Sequence, residues 1–205
     1  MASLVVVDYD AGNLASVHNA LNHLGIPNTV TRDPETVLQA ERVIFPGVGA
    51  AGSAMETLRR TGLGEAVAAA VHKGTPVLGI CIGCQIITEH SEEDGGIDCL
   101  GLVPGKAVRF RSEPGLKIPH MGWNEVRFAK QHPLFAGIAD NTHFYYVHSY
   151  YPAVGEAHTF ARSTYGTQEF PCVIGHNNLV ATQFHTEKSG AAGLALLKNF
   201  TLWSP

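Results

Sequence analysis

Residues 75–85 read TPVLGICIGCQ, and this stretch decides the fold. Residues 76–80 form a short apolar run with the length of a fully buried strand, and from Gly83 onward residues 84–89 are expected to continue as a helix. Cys81 stands at the joint. Gly79 and Gly83 flank it as Gly-x-Cys-x-Gly, the nucleophile-elbow pattern with cysteine in place of serine. A strand that turns sharply into a helix strains its corner residue, and bulky neighbours would collide there, which is the work of the glycines. The pattern predicts an exposed thiol at a helix N-terminus, where the macrodipole favours the thiolate. Two other readings fit the same residues. A buried cysteine behaves as a small hydrophobe. Cys81 and Cys84 also spell C-x-x-C, a redox pair or half a zinc site, although zinc needs two further ligands at suitable spacing and Cys99 and Cys172 are isolated.

Working outward, the 205 residues suit one domain over 1–205 with a sizeable core. A net charge of −4 argues against nucleic acid or an anionic membrane as partner. The opening residues lack a basic region and their apolar run stops at Asp8, unlike a signal peptide. No run approaches the ~20 apolar residues of a membrane span. Four cysteines without framework spacing suggest reduced thiols and a cytoplasmic location.

Upstream of the elbow, strands are expected at residues 4–7, 29–31 and 42–45. Residues 10–13 read as a turn, after which Asn13 caps a helix over 14–24 with Leu14, Val17, Leu21 and Leu24 on one face. Asp33 followed by Pro34 signals a second helix start. Two more helices are expected at 53–60 and 64–73. This alternation predicts an α/β fold, a doubly wound, mixed, mostly parallel sheet flanked by helices, with ligands at the carboxyl ends of its strands. Downstream the pattern changes to short strands, including FYYVHSYY at 144–151, with hairpins around residues 162–184 and a turn at Asn177 and Asn178. They form a small antiparallel extension. A last helix is expected after a Ser189 cap, with Leu194, Leu197 and either Leu196 or Phe200 inward.

Chemistry gathers at the predicted carboxyl edge. PGVGAAG at 46–52 lacks the lysine of a phosphate loop. Its backbone N–H groups at Val48 or Gly49 can instead form one arm of an oxyanion hole, with the N–H of Ile82 as the other. The strand at 179–182 runs into QFHTE, where His185 and Glu187, two apart on an extended segment, share a face. A carboxylate on one imidazole nitrogen fixes the tautomer and raises the basicity of the other, completing a Cys-His-Glu triad.

GICIGCQ, PGVG and QFHTEKSG together resemble the class I glutamine amidotransferases over most of the chain. The opening VVVDYDAGNLASV, KIPHMGWN and FYYVHSYY are similar to the branch that serves histidine biosynthesis. The resemblance implies glutamine as substrate, no cofactor and no metal, with Cys81 as nucleophile, His185 as acid and base, and Glu187 as orienting group. It further implies that Gly49, Gln85, Glu93, Ser149 and Tyr150 grip glutamine. The ammonia then passes to a separate (β/α)8-barrel cyclase subunit, which makes imidazole glycerol phosphate and an aminoimidazole carboxamide ribotide. Met121, Trp123, Asn124 and Tyr145 are expected near that heterodimer interface.

The chain departs from the family pattern at Cys84, where methionine is common, and at Thr186, where proline is common. Cys84, one helical turn from Cys81, raises the possibility of a disulfide that masks the nucleophile; Thr186 loosens the link between His185 and Glu187. Two other classes compete with this reading: a cysteine hydrolase or protease acting alone on another amide, and a non-catalytic subunit that has kept the fold.

Overall fold

A computed structural model describes residues 3–10 and 12–205. Met1, Ala2 and Ala11, and with them part of the opening segment and of the turn at 10–13, lie outside the described residues. The first half alternates strand and helix: β1 (Leu4–Val7), α1 (Leu14–His23), β2 (Asn28–Thr31), α2 (Pro34–Gln39), β3 (Arg42–Gly47), α3 (Ala51–Thr61), α4 (Leu63–Lys73), β4 (Val77–Cys81) and α5 (Ile82–Ile86). Then come β5 (Thr88–Ser91), β6 (Ile97–Asp98), β7 (Val103–Arg109), β8 (His120–Phe128), β9 (Thr142–His148), β10 (Tyr150–Val154), β11 (Thr159–Tyr165), β12 (Gln168–His176), β13 (Leu179–Thr182) and α6 (Gly190–Leu202).

Nine strands form one sheet in the order β2-β1-β3-β4-β13-β12-β11-β8-β9. From β2 to β13 the couplings are parallel; from β13 to β9 they are antiparallel. The antiparallel part is therefore as extensive as the parallel one. A second sheet of four strands, β10-β7-β5-β6, packs beside it. The FYYVHSYY run is split between the two: β9 ends at His148, and after Ser149 the chain enters β10.

Of the parallel strands, β1, β3, β4 and β13 are buried on both faces, as their continuous apolar runs require, while β2 at the sheet edge is partly exposed. Val5, Val7, Val43, Phe45 and Val77 face Val37, Met55, Leu58 and Val67 of α2, α3 and α4. Leu4, Val6, Ile44, Leu78 and Ile80 face Val17, Leu21, Leu196, Leu197 and Phe200 of α1 and α6. Burial of each such side chain contributes about 1.5–3 kcal/mol.

Local expectations fare unevenly. Asp33 caps α2 as expected, accepting from the N–H groups of Glu35 and Thr36 at 3.2 Å. Asn13 does not cap α1: its φ is 60° and its side chain is turned away from the helix to other partners. Ser189 makes no cap hydrogen bond to α6 either, because its hydroxyl bridges two other backbone groups. In α6, Leu196, Leu197 and Phe200 are buried and Leu194 only partly. The helix expected over 84–89 begins earlier and stops at Ile86. Thr88 donates its hydroxyl to the Gln85 carbonyl at 2.7 Å, and the backbone of Leu102 and Val103 captures the Ile87 carbonyl, so Thr88 and Glu89 leave as strand. No helix among the described residues is long and apolar enough to cross a membrane.

Candidate active site

In the parallel half the order β2-β1-β3-β4-β13 brings five carboxyl ends to one edge, the place where such sheets bind ligands. Register fixes their height: Cys81 pairs with Gly47 on β3, and Ile80 with Thr182 on β13. Cys81 ends β4 itself, and the segments that follow β1, β3 and β13 deliver Asn13, Val48 with Gly49, and His185 with Glu187.

Cys81 takes the strained corner conformation, φ 55° and ψ −105°, between the end of β4 and the start of α5. Its glycine neighbours make this turn possible. A Cβ on Gly83 would lie 2.2 Å from the Phe45 carbonyl oxygen, and one on Gly79 2.8 Å from the Ala181 Cβ. The thiol is not exposed as expected. Cys81 is only 6% accessible and looks into a cavity of ≈ 240 Å³, because β9, β10 and the loop after β3 wall off the corner.

His185 borders the same cavity. The geometry that joins it to Glu187 differs from the extended segment expected: β13 stops at Thr182, and Glu187 lies in a 3-10 turn over Thr186–Lys188. The pairing itself forms, His185 Nδ1 to Glu187 Oε1 at 2.7 Å, with both side chains fully buried. Since the carboxylate accepts, Nδ1 carries hydrogen. Nε2 is buried and makes no hydrogen bond to the described residues. Burial works to lower the His185 pKa, but the neighbouring Cys81 sulfur and the Glu187 carboxylate outweigh it, and it is raised to about 10.

The segment is pinned from behind. The His185 N–H donates to the Tyr145 carbonyl at 2.9 Å. Ser189 Oγ donates to the His185 carbonyl at 2.5 Å and accepts from the Tyr145 N–H at 3.0 Å. Asn13 Nδ2 donates to Glu187 Oε1 and lies 3.5 Å from His185 Nδ1. This contact was missed in the sequence, where asparagine before a helix reads as a cap; its position after β1, at the carboxyl edge, is the signal that could have found it.

Val48, Gly49, Ile82, Gln85, Glu93, Ser149 and Tyr150 all line the cavity with Cys81 and His185. Gly49 has φ 107°, open to glycine alone. Gln85 is buried and donates through Nε2 to the Tyr150 carbonyl at 2.8 Å and to Gln183 Oε1 at 3.1 Å. Glu93 accepts from the Ala51 N–H at 2.7 Å at the start of α3, and burial raises its pKa. Neither is a residue of an open helix face. Pro119, Val147 and His148 complete the lining, and none of the three was singled out from sequence.

The remaining candidates lie apart. Met121 and Trp123 are 63% and 55% exposed on the outer face of β8, and Tyr145 meets Trp123 edge-on at 6.0 Å. Asn124, by strand alternation, turns to the opposite face and donates to the Thr164 carbonyl at 2.8 Å, so it is not part of that exposed patch. Cys84 is fully buried, and burial first, then Cys81 and Cys172, pushes its thiol up, which opposes attack on Cys81. All four cysteines are free. No group of three or more metal-ligating side chains occurs among the described residues.

The sequence pattern described as "Glutamine amidotransferase class-I" matches residues 5–203. The imidazole glycerol phosphate synthase subunit HisH of Chromobacterium violaceum is 50% identical, with 98% of this chain and 97% of that protein aligned. The protein of the same name from Nitrosomonas europaea is 47% identical with both chains fully covered. Among solved structures, one titled as a glutamine amidotransferase has a TM-score of 0.75 at 19% identity, covering 97% of each chain. PurLQS from Thermotoga maritima has a TM-score of 0.73 at 17% identity, covering 98% of this chain and 99% of that one. These two likenesses speak for the fold.

Proposed function

Since this chain belongs to the class I glutamine amidotransferases, we propose that it is the glutaminase subunit of an imidazole glycerol phosphate synthase, with Cys81, His185 and Glu187 as its catalytic triad. One observation carries the reading. Cys81 and His185 border one cavity, while Glu187 holds the far nitrogen of the imidazole at 2.7 Å.

Cys81 Sγ attacks the side-chain amide carbon of glutamine, forming a C–S bond as the amide oxygen takes negative charge. Backbone N–H groups at Val48 or Gly49 and at Ile82 receive that oxygen, each such donor being worth roughly 3–4 kcal/mol of barrier. The proton from the thiol, held on His185 Nε2, goes to the departing nitrogen; the C–N bond breaks and ammonia leaves. Water then adds to the glutamyl thioester, giving His185 a proton that returns to sulfur as glutamate departs. A pKa raised to about 10 suits an imidazole that must be proton-loaded beside the sulfur. Gln85, Glu93, Gly49, Ser149 and Tyr150 bind the rest of glutamine.

Ammonia lost to water becomes ammonium and is no longer a nucleophile, so the acceptor site must adjoin this one. We assign it to a (β/α)8-barrel cyclase subunit docked over Met121, Trp123 and Tyr145, in a cytoplasmic heterodimer. Acid quench during turnover, followed by peptide mass analysis, tests the chemistry: a glutamyl adduct on the Cys81 peptide is expected, and an adduct confined to another residue overturns the assignment.

A further inference from the structure

One wall of the cavity that Cys81 borders is made where the chain leaves β9 for β10. At that crossing the Tyr150 carbonyl accepts two hydrogen bonds, from Gln85 Nε2 at 2.8 Å and from His148 Nδ1 at 2.8 Å. A carbonyl can only accept, so His148 Nδ1 carries hydrogen, and in a neutral ring Nε2 must then accept. His120 Nδ1, 2.9 Å away, is its donor. His120 Nε2 accepts in turn, and Asn124 Nδ2 stands 3.3 Å from it. The direction of the Asn124 amide is fixed independently, since Oδ1 accepts from the Glu125 N–H at 2.8 Å and Nδ2 donates to the Thr164 carbonyl at 2.8 Å. Every proton in the relay from β8 to the cavity wall is thereby assigned, and a proton added to either ring would set two N–H groups face to face.

The surroundings keep the relay neutral and still. Burial lowers His120 to about 4; burial, then His120, lowers His148 to about 3. The His120 ring stacks on Tyr165 at 4.0 Å and on Tyr146 at 4.8 Å. His148 packs against Phe110 at 5.2 Å and Phe170 at 5.4 Å. Both of its nitrogens are engaged, so His148 has no polar atom left for a ligand although it borders the cavity.

We propose that His120 and His148 are positioning residues for glutamine: their relay fixes the Tyr150 carbonyl, the Gln85 amide held on the same oxygen, and the Ser149–Tyr150 wall in the arrangement that binds substrate. This rests on the glutaminase reading of the cavity. The pair touches neither the reacting sulfur nor the amide nitrogen, so its loss is felt in substrate binding rather than in the chemical step.

The test is steady-state glutamate release by the full chain assembled with its cyclase subunit, comparing wild type, His148→Leu and His148→Gln. Leucine leaves the carbonyl and His120 short of partners and is expected to raise KM for glutamine about tenfold while kcat changes less than about threefold. Glutamine at position 148 offers both a donor and an acceptor and is expected to return KM to within about threefold of wild type. Equal KM shifts in the two variants, or a change confined to kcat, overturns the relay. Should His148→Leu fail to fold, His120→Leu against His120→Gln makes the same comparison one ring further from the cavity. A wild-type complex that releases no glutamate overturns the glutaminase reading itself, whereas an active wild type with unchanged KM in the leucine variants overturns the relay alone.

Discussion

At His185, burial and charge act in opposite directions, and the charges prevail. Desolvation alone lowers an imidazole; the sulfur on one side and the carboxylate on the other raise this one to about 10. A folded-state value above the ordinary ~6.5 means that the protonated form stabilises the fold. That contribution is whole below about pH 6.5 and is lost as pH rises through about 10. In Glu187→Gln one of the two raising groups is gone. The melting temperature of the variant should therefore fall less steeply than that of wild type between these pH values, and kcat should drop on the order of 10²–10⁴-fold. Parallel melting curves, or wild-type kcat, would contradict this role for Glu187. Cys81, His185 and Glu187 could be picked out of the sequence because each sits in a short motif whose chemistry is local. Asn13 could not, since its partner is 174 residues away and only the sheet order brings the two together.

The elbow depends on two neighbouring elements being close. Gly83 on α5 lies so near β3 that any side chain meets the Phe45 carbonyl, a backbone atom that cannot swing aside. Gly83→Ala is expected to destabilise the protein by about 1–3 kcal/mol through this overpacking, and to slow turnover by displacing Cys81. Chemical denaturation alongside glutaminase assay measures both; an unchanged midpoint would show that the elbow tolerates bulk. Strand-then-helix at this site was legible because the apolar run and the glycines are local signals. The length of α5 was not, because it is set by Leu102 and Val103, which draw the Ile87 carbonyl into the four-stranded sheet. Ser189 misled for a similar reason: a serine at a helix start reads as a cap, but tertiary contacts with Tyr145 and His185 claim its hydroxyl. Where tertiary partners compete for a side chain, local preference loses.

Across the whole molecule, the repeating strand-helix pattern of the first half announced the parallel sheet, since every connection there is local. The second half is joined through β13, which pairs with β4 about a hundred residues upstream, and no local pattern sets that pairing. The same half carries the buried histidines, and with them an acid sensitivity. His120 and His148 titrate at about 4 and about 3 in the fold, below the ordinary value, so the unfolded chain binds more protons. Stability should decline as pH falls from about 6.5 towards about 3, and His120→Gln/His148→Gln should flatten that decline in urea-unfolding midpoints. An identical decline would place the acid weakness elsewhere. On the outer surface, Trp123→Ala is expected to weaken binding of the cyclase subunit by about 2 kcal/mol or more with little change in melting temperature, since the ring is 55% exposed in the free chain. Unchanged affinity in a calorimetric titration would remove Trp123 from the interface.

We propose that one sulfur, met by one carboxylate-held imidazole at the carboxyl edge of the sheet, breaks the glutamine amide for a neighbouring subunit. Its most direct measurement is glutamate release from glutamine by the complex with the cyclase, wild type against Cys81→Ala at matched complex formation. Turnover is expected in wild type and should disappear in the variant; turnover by Cys81→Ala at the wild-type rate would show that this sulfur is not the nucleophile.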